Sequence, residues 1–337
     1  MNDETAIIRH EDAPALALAG QAADRAAARH VFTDYRSRKS QNTLRAQDAD
    51  LRLFADYLHA VGVDVERLDE PAGWSGVSWG LVSGFVRWLV QEGHAVASIN
   101  RALATVRTYA KLATQAATIT PETLALIKTV AGYSTKEGKR LDADRQTSRK
   151  GQKKAEAVSI SREAAHKLKI QPETVQGARD GLLMCLLLDH GLRVGEVALL
   201  EWKDIDAEGQ HLTFYRPKVD KVQTHKLSRD TRRALERYRA YVDIYQGPLL
   251  RAINKGGKLL DHGMTTSAIA QRVRVLGEAA GLEGLSPHDC RHYWATVLTR
   301  KGTSIKALQD AGGWSSPAMP LRYAESARIA NEGAEVD

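Results

Sequence analysis

Two short runs in the second half of the chain collect residue types able to hold and activate a phosphate. In Ser286-Pro287-His288-Asp289-Cys290-Arg291-His292, Ser286 can cap a helix and Pro287 suits its first position. His288 and Arg291 then sit three residues apart on one face of the first turn, where the helix dipole adds positive potential. An imidazole and a guanidinium at a helix N-terminus make a phosphate site. Two other readings stay open. His288 and His292, four apart, can bind a metal, although no HExxH glutamate accompanies them and Arg291 lies between. His288 can also be a structural histidine. In Gly191-Leu192-Arg193-Val194-Gly195-Glu196, an arginine follows the glycine that ends a very apolar run. Glu196 can hold that guanidinium from behind if the segment is helical, but a surface ion pair is the plainer account. Trp314, after Gly312 and Gly313, is either a core residue or an indole N–H donor to a phosphate oxygen. Tyr323, nine residues further on, is one of ten tyrosines and says nothing by itself.

Taken in order, these segments resemble the catalytic domain of the tyrosine recombinase (phage integrase) family. That family shows G-L-R-x-x-E, a lysine on a β-hairpin, H-x-x-R followed by H-x-x-A-T, a His or Trp, and a tyrosine nine residues later. This sequence supplies Arg193 with Glu196, Lys218, His288 with Arg291, His292 with Ala295 and Thr296, Trp314, and Tyr323. Tryptophan at 314, where most relatives have histidine, is similar to the Cre-type members. Lys221, three residues past Lys218, is an alternative for the hairpin lysine. The resemblance covers residues 159–330, and residues 40–133 look like the family's helical core-binding domain.

The resemblance implies a site-specific DNA recombinase. Tyr323 would form a 3′-phosphotyrosyl link and release a 5′-hydroxyl, with exchange passing through a Holliday junction. The partners it implies are double-stranded DNA with inverted-repeat sites and three further copies in a homotetramer. In a Cre-like arrangement the tail after Tyr323 packs on a neighbouring protomer. No cofactor is implied, neither metal nor ATP. The alternatives are a type IB topoisomerase or telomere-resolving enzyme, and a non-catalytic DNA-binding accessory protein of the same fold. A separate N-terminal helical domain and the G-G-W run weigh against the first, and the full set of catalytic side chains against the second.

The residue types suit that chemistry. A phosphotyrosine conserves the energy of the broken phosphodiester. A phenol of pKa about 10 carries a handicap of about 4 kcal/mol at neutral pH, so its proton must be taken or its pKa lowered. His288 and the positive field of Arg193 and Arg291 are the candidates. The two arginines can clamp the non-bridging oxygens with paired hydrogen bonds, and Trp314 adds a donor. Each such donor is worth about 3–4 kcal/mol by analogy with oxyanion holes. The leaving 5′ oxygen needs a proton, which Lys218 on a hairpin can supply.

Those side chains need a scaffold, and the sequence predicts a mainly α fold: a two-domain DNA clamp. Residues 1–39 read as an N-terminal tail and leading helix, and 40–133 as an all-helical core-binding domain. Its helices start after Ser40, near Val77, at Ser98 and at Thr120-Pro121, with Gly93 as a stop. The third carries Arg101, Arg107 and Lys111 on a charged face, which is either solvated or laid along DNA phosphates. Residues 134–158 read as a basic linker containing Lys139, Arg140, Lys153 and Lys154, able to track a DNA backbone. Residues 159–337 read as a mostly helical catalytic domain with one small antiparallel β-hairpin. Its strands are His211–Tyr215 and Val222–Leu227, with a turn at Lys218–Lys221 between them.

Bulk composition agrees. At 337 residues, with 43% hydrophobic and 26% charged residues, the chain is long enough for two ordinary domains or one large one and can bury a real core. A net charge of +7 and a pI of about 9.3 suit a polyanionic partner. Two cysteines exclude a disulfide framework and a four-thiolate zinc site, and suit a reducing cytosol. The first residues lack a signal-peptide core, and no apolar run reaches the ~18–20 residues of a membrane span. The expected location is cytoplasmic, with no membrane partner.

Overall fold

The computed structural model describes residues 15–65, 67–143, 157–243 and 245–327. It divides into two units, Met1–Lys153 and Lys154–Asp337. Both are mainly helical.

In the first unit, α1 (Ala15–Ser37), α2 (Gln41–Ala60), α3 (Trp79–Gln91), α4 (Val96–Gln115) and α5 (Pro121–Thr129) supply an aromatic core, and α6 (Thr135–Ala143) follows them. Ser40, Ser78 and Thr120 cap α2, α3 and α5 by accepting a hydrogen bond from a first-turn N–H. Gly93 takes the left-handed conformation (φ +81°) that ends α3. Phe54, Trp74, Phe85 and Tyr109 are completely buried, and Trp74 donates its indole N–H to the carbonyl of Leu68 at 2.8 Å. Arg36 bolts α1 to this core through Asp48 (2.7 Å) and the Tyr109 hydroxyl (2.9 Å).

The structure differs from the sequence reading at two places in this unit. The third helix begins at Val96 rather than Ser98. Within 134–158, read as a linker, residues 135–143 form α6. Ser134 and Glu137 make a capping box there, with hydrogen bonds of 2.7 and 3.3 Å between backbone N–H and side chain. Gly138, which suggested flexibility, lies against Val96, where an added Cβ would be 3.2 Å from both methyls.

The second unit contains α7 (Arg162–Lys169), α8 (Val175–His190), α9 (Val194–Ala198), the hairpin β1 (His211–Arg216) and β2 (Lys221–Lys226), and α10 (Arg229–Arg239). It continues with β3 (Arg251–Ile253), β4 (Leu259–Gly263), α11 (Thr266–Ala279), α12 (Pro287–Arg300), α13 (Ile305–Gly312) and α14 (Ala318–Ala327). Each strand pair is antiparallel, and His211 faces Lys226 across the first. The β3–β4 pair was not anticipated. One strand is three residues long, too short for alternation to show.

Helix α8 runs through the middle of this unit and is buried on nearly every side, including Cys185. A helix apolar all round belongs in a core rather than on a surface. Its one buried carboxylate, Asp180, is held by Arg179 (2.8 Å) and Arg272 (2.6 Å). Gly191 ends α8 at φ +59° with its Cα against the Trp294 ring, where a Cβ would approach to 2.3 Å. A side chain there is excluded both by backbone conformation and by space. Among the described residues, no helix is long and apolar enough to cross a membrane.

His190 and His225 are kept neutral in this unit. Burial pulls each imidazole down to about 4, helped by Lys169 for His190 and by His190 and Arg216 for His225. In the unfolded chain both titrate near 6.5. The stabilisation is therefore complete above pH 6.5 and is lost as pH falls from 6.5 towards 4, because the unfolded state then binds the protons. Between pH 7 and pH 4.5, urea unfolding of the second unit should show a loss of roughly 2 kcal/mol from His190 alone. The same titration on His190→Asn should be flatter. Equal pH slopes for the two proteins would refute the burial argument.

Candidate active site

The site grows from three local structures in the second unit. The first is the turn from α8 into α9. Arg193 is the N-cap residue of α9, and Glu196 lies in its first turn. The Glu196 carboxylate accepts from the Arg193 backbone N–H (2.8 Å) and from its guanidinium Nη1 (2.8 Å). Glu196 is only 3% exposed, so the pair is not a surface ion pair.

The second is the start of α12. Ser286 caps it, and Asp289 closes the capping box through the Ser286 N–H at 2.8 Å. This holds His288 on the exposed side and sends Arg291 inward, where it is 4% exposed. Arg291 donates through Nη1 to the Gly191 carbonyl and through Nη2 to the Gly312 carbonyl at 2.5 Å. Burial, with Arg193 and Arg216 as neighbours, pulls its guanidinium down to about 9, still cationic at neutral pH. His292 sits one turn after His288, and their Nε2 atoms are 2.9 Å apart. Burial, then the neighbouring His288, lowers the His292 pKa below its ordinary value.

The third is the turn between α13 and α14. Gly313 is left-handed (φ +58°) and ends α13, and Trp314 follows it. The Trp314 ring lies 4.4 Å from the Arg291 guanidinium carbon and 5.7 Å from the Tyr323 ring. Tyr323, on α14, is 3% exposed and packs with Trp294, Ala295 and Leu308. Its ring also meets His292 edge-on at 5.0 Å. Burial raises the phenol pKa above its ordinary value, while Arg291, Arg322 and Arg193 pull in the opposite direction.

Arg193, Glu196, Arg291, Trp314, Tyr323, His292 and His288 thus form one continuous group across some 130 positions of sequence. Lys218 and Lys221 stand at the exposed tip of the first hairpin. That hairpin reaches the group through Arg216, which sequence reasoning missed. Arg216 is completely buried and donates to both oxygens of Glu196 (3.0 Å each) and to the carbonyls of Gly312 (3.2 Å) and Ala311 (2.8 Å). The one available signal was an arginine in an inward position of an alternating strand, after Leu212 and Phe214.

The residues singled out as DNA contacts are distributed differently. Arg101 makes a forked bond to the fully buried Asp50, with Nη2 at 2.8 Å, and its side chain remains 53% exposed. Arg107 donates to the Lys128 carbonyl at 3.2 Å. Lys111, Lys139 and Arg140 are exposed, and Lys153 and Lys154 lie outside the described residues.

The arrangement gathers cationic donors, a phenol and an imidazole pair, which is the equipment for attack on a phosphoryl group. Comparison with known proteins points the same way. The model of the phage integrase family matches residues 155–328, and that of the phage integrase N-terminal SAM-like domain matches 32–117. Tyrosine recombinase XerC of Myxococcus xanthus is 31% identical over 166 residues, covering 45% of this chain and 52% of that protein. XerC of Herpetosiphon aurantiacus is 23% identical over 279 residues, covering 82% and 81%. The first of these alignments spans only about half the relative's length. Among solved structures, the Tn1549 transposon integrase in complex with transposon right end DNA aligns over 91% of this chain and 96% of that one, with a TM-score of 0.61 and 17% identity. That last likeness is one of fold.

Glu196 is the natural residue to perturb. Glu196→Gln removes the charge shared by two guanidiniums and should cost about 3–5 kcal/mol of stability, as breaking a buried ion pair does. Chemical denaturation of the purified variant measures this. A cost under about 1 kcal/mol would mean that the cluster contributes little to the fold.

Proposed function

The chain belongs to the phage integrase family, and on that premise we propose that it is a site-specific recombinase that cuts and rejoins DNA through Tyr323. The observation that carries the reading is the single group formed by Tyr323, Trp314, Arg291 and Arg193. The phenolic oxygen attacks the scissile phosphorus, and the P–O5′ bond breaks. The product is a 3′-phosphotyrosyl link and a 5′-hydroxyl. His288, bonded to the His292 ring that lies on Tyr323, receives the phenolic proton. Lys218 at the hairpin tip, with Lys221 beside it, protonates the departing 5′ oxygen. Arg193, Arg291 and the Trp314 indole N–H hold the non-bridging oxygens as their negative charge grows.

Bond energy is conserved in the phosphotyrosine, so the reverse attack by a partner strand's 5′-hydroxyl needs no ATP. Two such exchanges per duplex pair pass through a Holliday junction, with four copies assembled on two inverted-repeat sites. Both units contribute to binding the duplex, and the basic residues Lys111, Lys139 and Arg140 are exposed for phosphate contacts. Tyr323 acts in cis, since it packs against Trp314 and His292 of its own chain.

A nicked suicide duplex, resolved on a denaturing gel, tests the chemistry. Wild type is expected to give a protein–DNA adduct and Tyr323→Phe none. Arg193→Ala and Arg291→Ala should slow cleavage by about 10²–10³-fold with DNA affinity nearly unchanged. Normal cleavage by either would remove the assigned role. A mixture of Arg193→Ala and Tyr323→Phe proteins should also give no adduct, and its restoration would mean delivery in trans. Affinity for duplex DNA should fall about 10³-fold or more between 50 and 200 mM salt, and a flat response would count against phosphate contacts.

A further inference from the structure

A fully buried guanidinium is expensive unless each of its surroundings is arranged for it. Arg216 is such a group. It is 0% exposed and ends the first strand of the hairpin, opposite Lys221 and two residues before Lys218. Its Nη1 divides between the two oxygens of Glu196 and the Gly312 carbonyl, and its Nη2 takes the Ala311 carbonyl. Those carbonyls belong to the last turn of α13, the negative end of a helix. The Phe214 ring lies 4.8 Å from the guanidinium carbon. The left-handed Gly313 rests on the arginine stem, where a Cβ would come within 2.6 Å of Cδ. The hairpin root, the Glu196 carboxylate and the turn that presents Trp314 therefore meet on one side chain. Gln223 of the same hairpin reinforces the junction by donating to the Asp310 carbonyl at 2.6 Å.

Charge explains why an arginine is needed there. Glu196 alone would neutralise Arg193, its partner at 2.8 Å. With Arg216 on the same carboxylate, three guanidiniums face one carboxylate, and two positive charges remain. A phosphodiester carries one negative charge and its pentacoordinate transition state two. The surplus matches the transition state better than the ground state, which is the condition for rate enhancement.

We propose that Arg216 is a positioning residue of this site: it neutralises Glu196 so that Arg193 and Arg291 keep their charge for the phosphate, and it fixes the Gly312–Gly313 turn below Trp314. The inference rests on the recombinase reading above. It assigns Arg216 no contact with DNA.

The test compares strand cleavage by full-length protein on two nicked suicide duplexes. One has an ordinary scissile phosphodiester. The other has a methylphosphonate there, which carries one negative charge fewer at every stage. Wild type must cleave the phosphodiester, and if it does not, the recombinase reading fails whatever Arg216 does. Given that activity, Arg216→Met should cleave the phosphodiester about 100-fold more slowly. On the methylphosphonate its deficit should shrink to about 5-fold or less, because the lost charge is no longer required. Arg216→Lys keeps the charge without the fork and should fall between Met and wild type on the phosphodiester. Thermal melting and DNA affinity are measured alongside. If Arg216→Met does not fold, the Lys variant decides by the same comparison. Wild-type rates on the phosphodiester, or an equal slowing on both substrates, would overturn the proposal, since a purely structural defect does not distinguish them.

Discussion

The second unit is organised around one buried carboxylate. Glu196 accepts hydrogen bonds from Arg193 and Arg216, and those arginines, with Arg291, grip the carbonyls at 311–313. Removing any member leaves a charge or a carbonyl without its partner in a poorly solvated place, which costs several kcal/mol. The cluster therefore holds as a unit. It also fixes where the ends of α8, the hairpin, α12 and α13 can lie, because each end supplies one of its groups.

This explains why the site combines rigid and exposed parts. Arg291 and Tyr323 are buried to 4% and 3% exposure, on helices packed into the core. His288 and Lys218 are exposed, one on the first turn of α12 and one at a hairpin tip. Groups that stabilise charge gain from burial, since an interaction is stronger where water is excluded. His288 and Lys218, the groups proposed to exchange protons, stand where solvent reaches them. Glycine makes the compact part possible. Gly191 and Gly313 both take left-handed turns, one with its backbone against the Trp294 ring and the other with its backbone against the Arg216 stem.

The first unit follows a simpler logic. Its core is aromatic, and its buried charge, Asp50, is answered by Arg101 and by the Thr105 hydroxyl at 2.8 Å. Arg101 therefore has an internal partner as well as an exposed flank, while Lys111 is exposed on the same helix. A charged helical face read from sequence mixes these two situations, because spacing reports the face and not the partner.

Local rules made the capped helices legible. Ser40, Thr120-Pro121 and Ser286-Pro287 mark helix starts through hydrogen bonds and backbone angles set within a few residues, and the first hairpin strand alternates as strands do. The motif order around Arg193, His288, Arg291, Trp314 and Tyr323 likewise gave the family resemblance. Tertiary structure alone decided the rest. Arg216 reads as one more basic residue until Glu196 and the end of α13 are brought against it. The helix at 135–143 looked like a tether, since its composition is polar and its Gly138 gains meaning only beside Val96. The three-residue strand β3 is too short to carry a periodic signal. Sequence fixes interactions that close within about one helical turn or along one strand, whereas a buried ion's identity depends on partners tens of residues away.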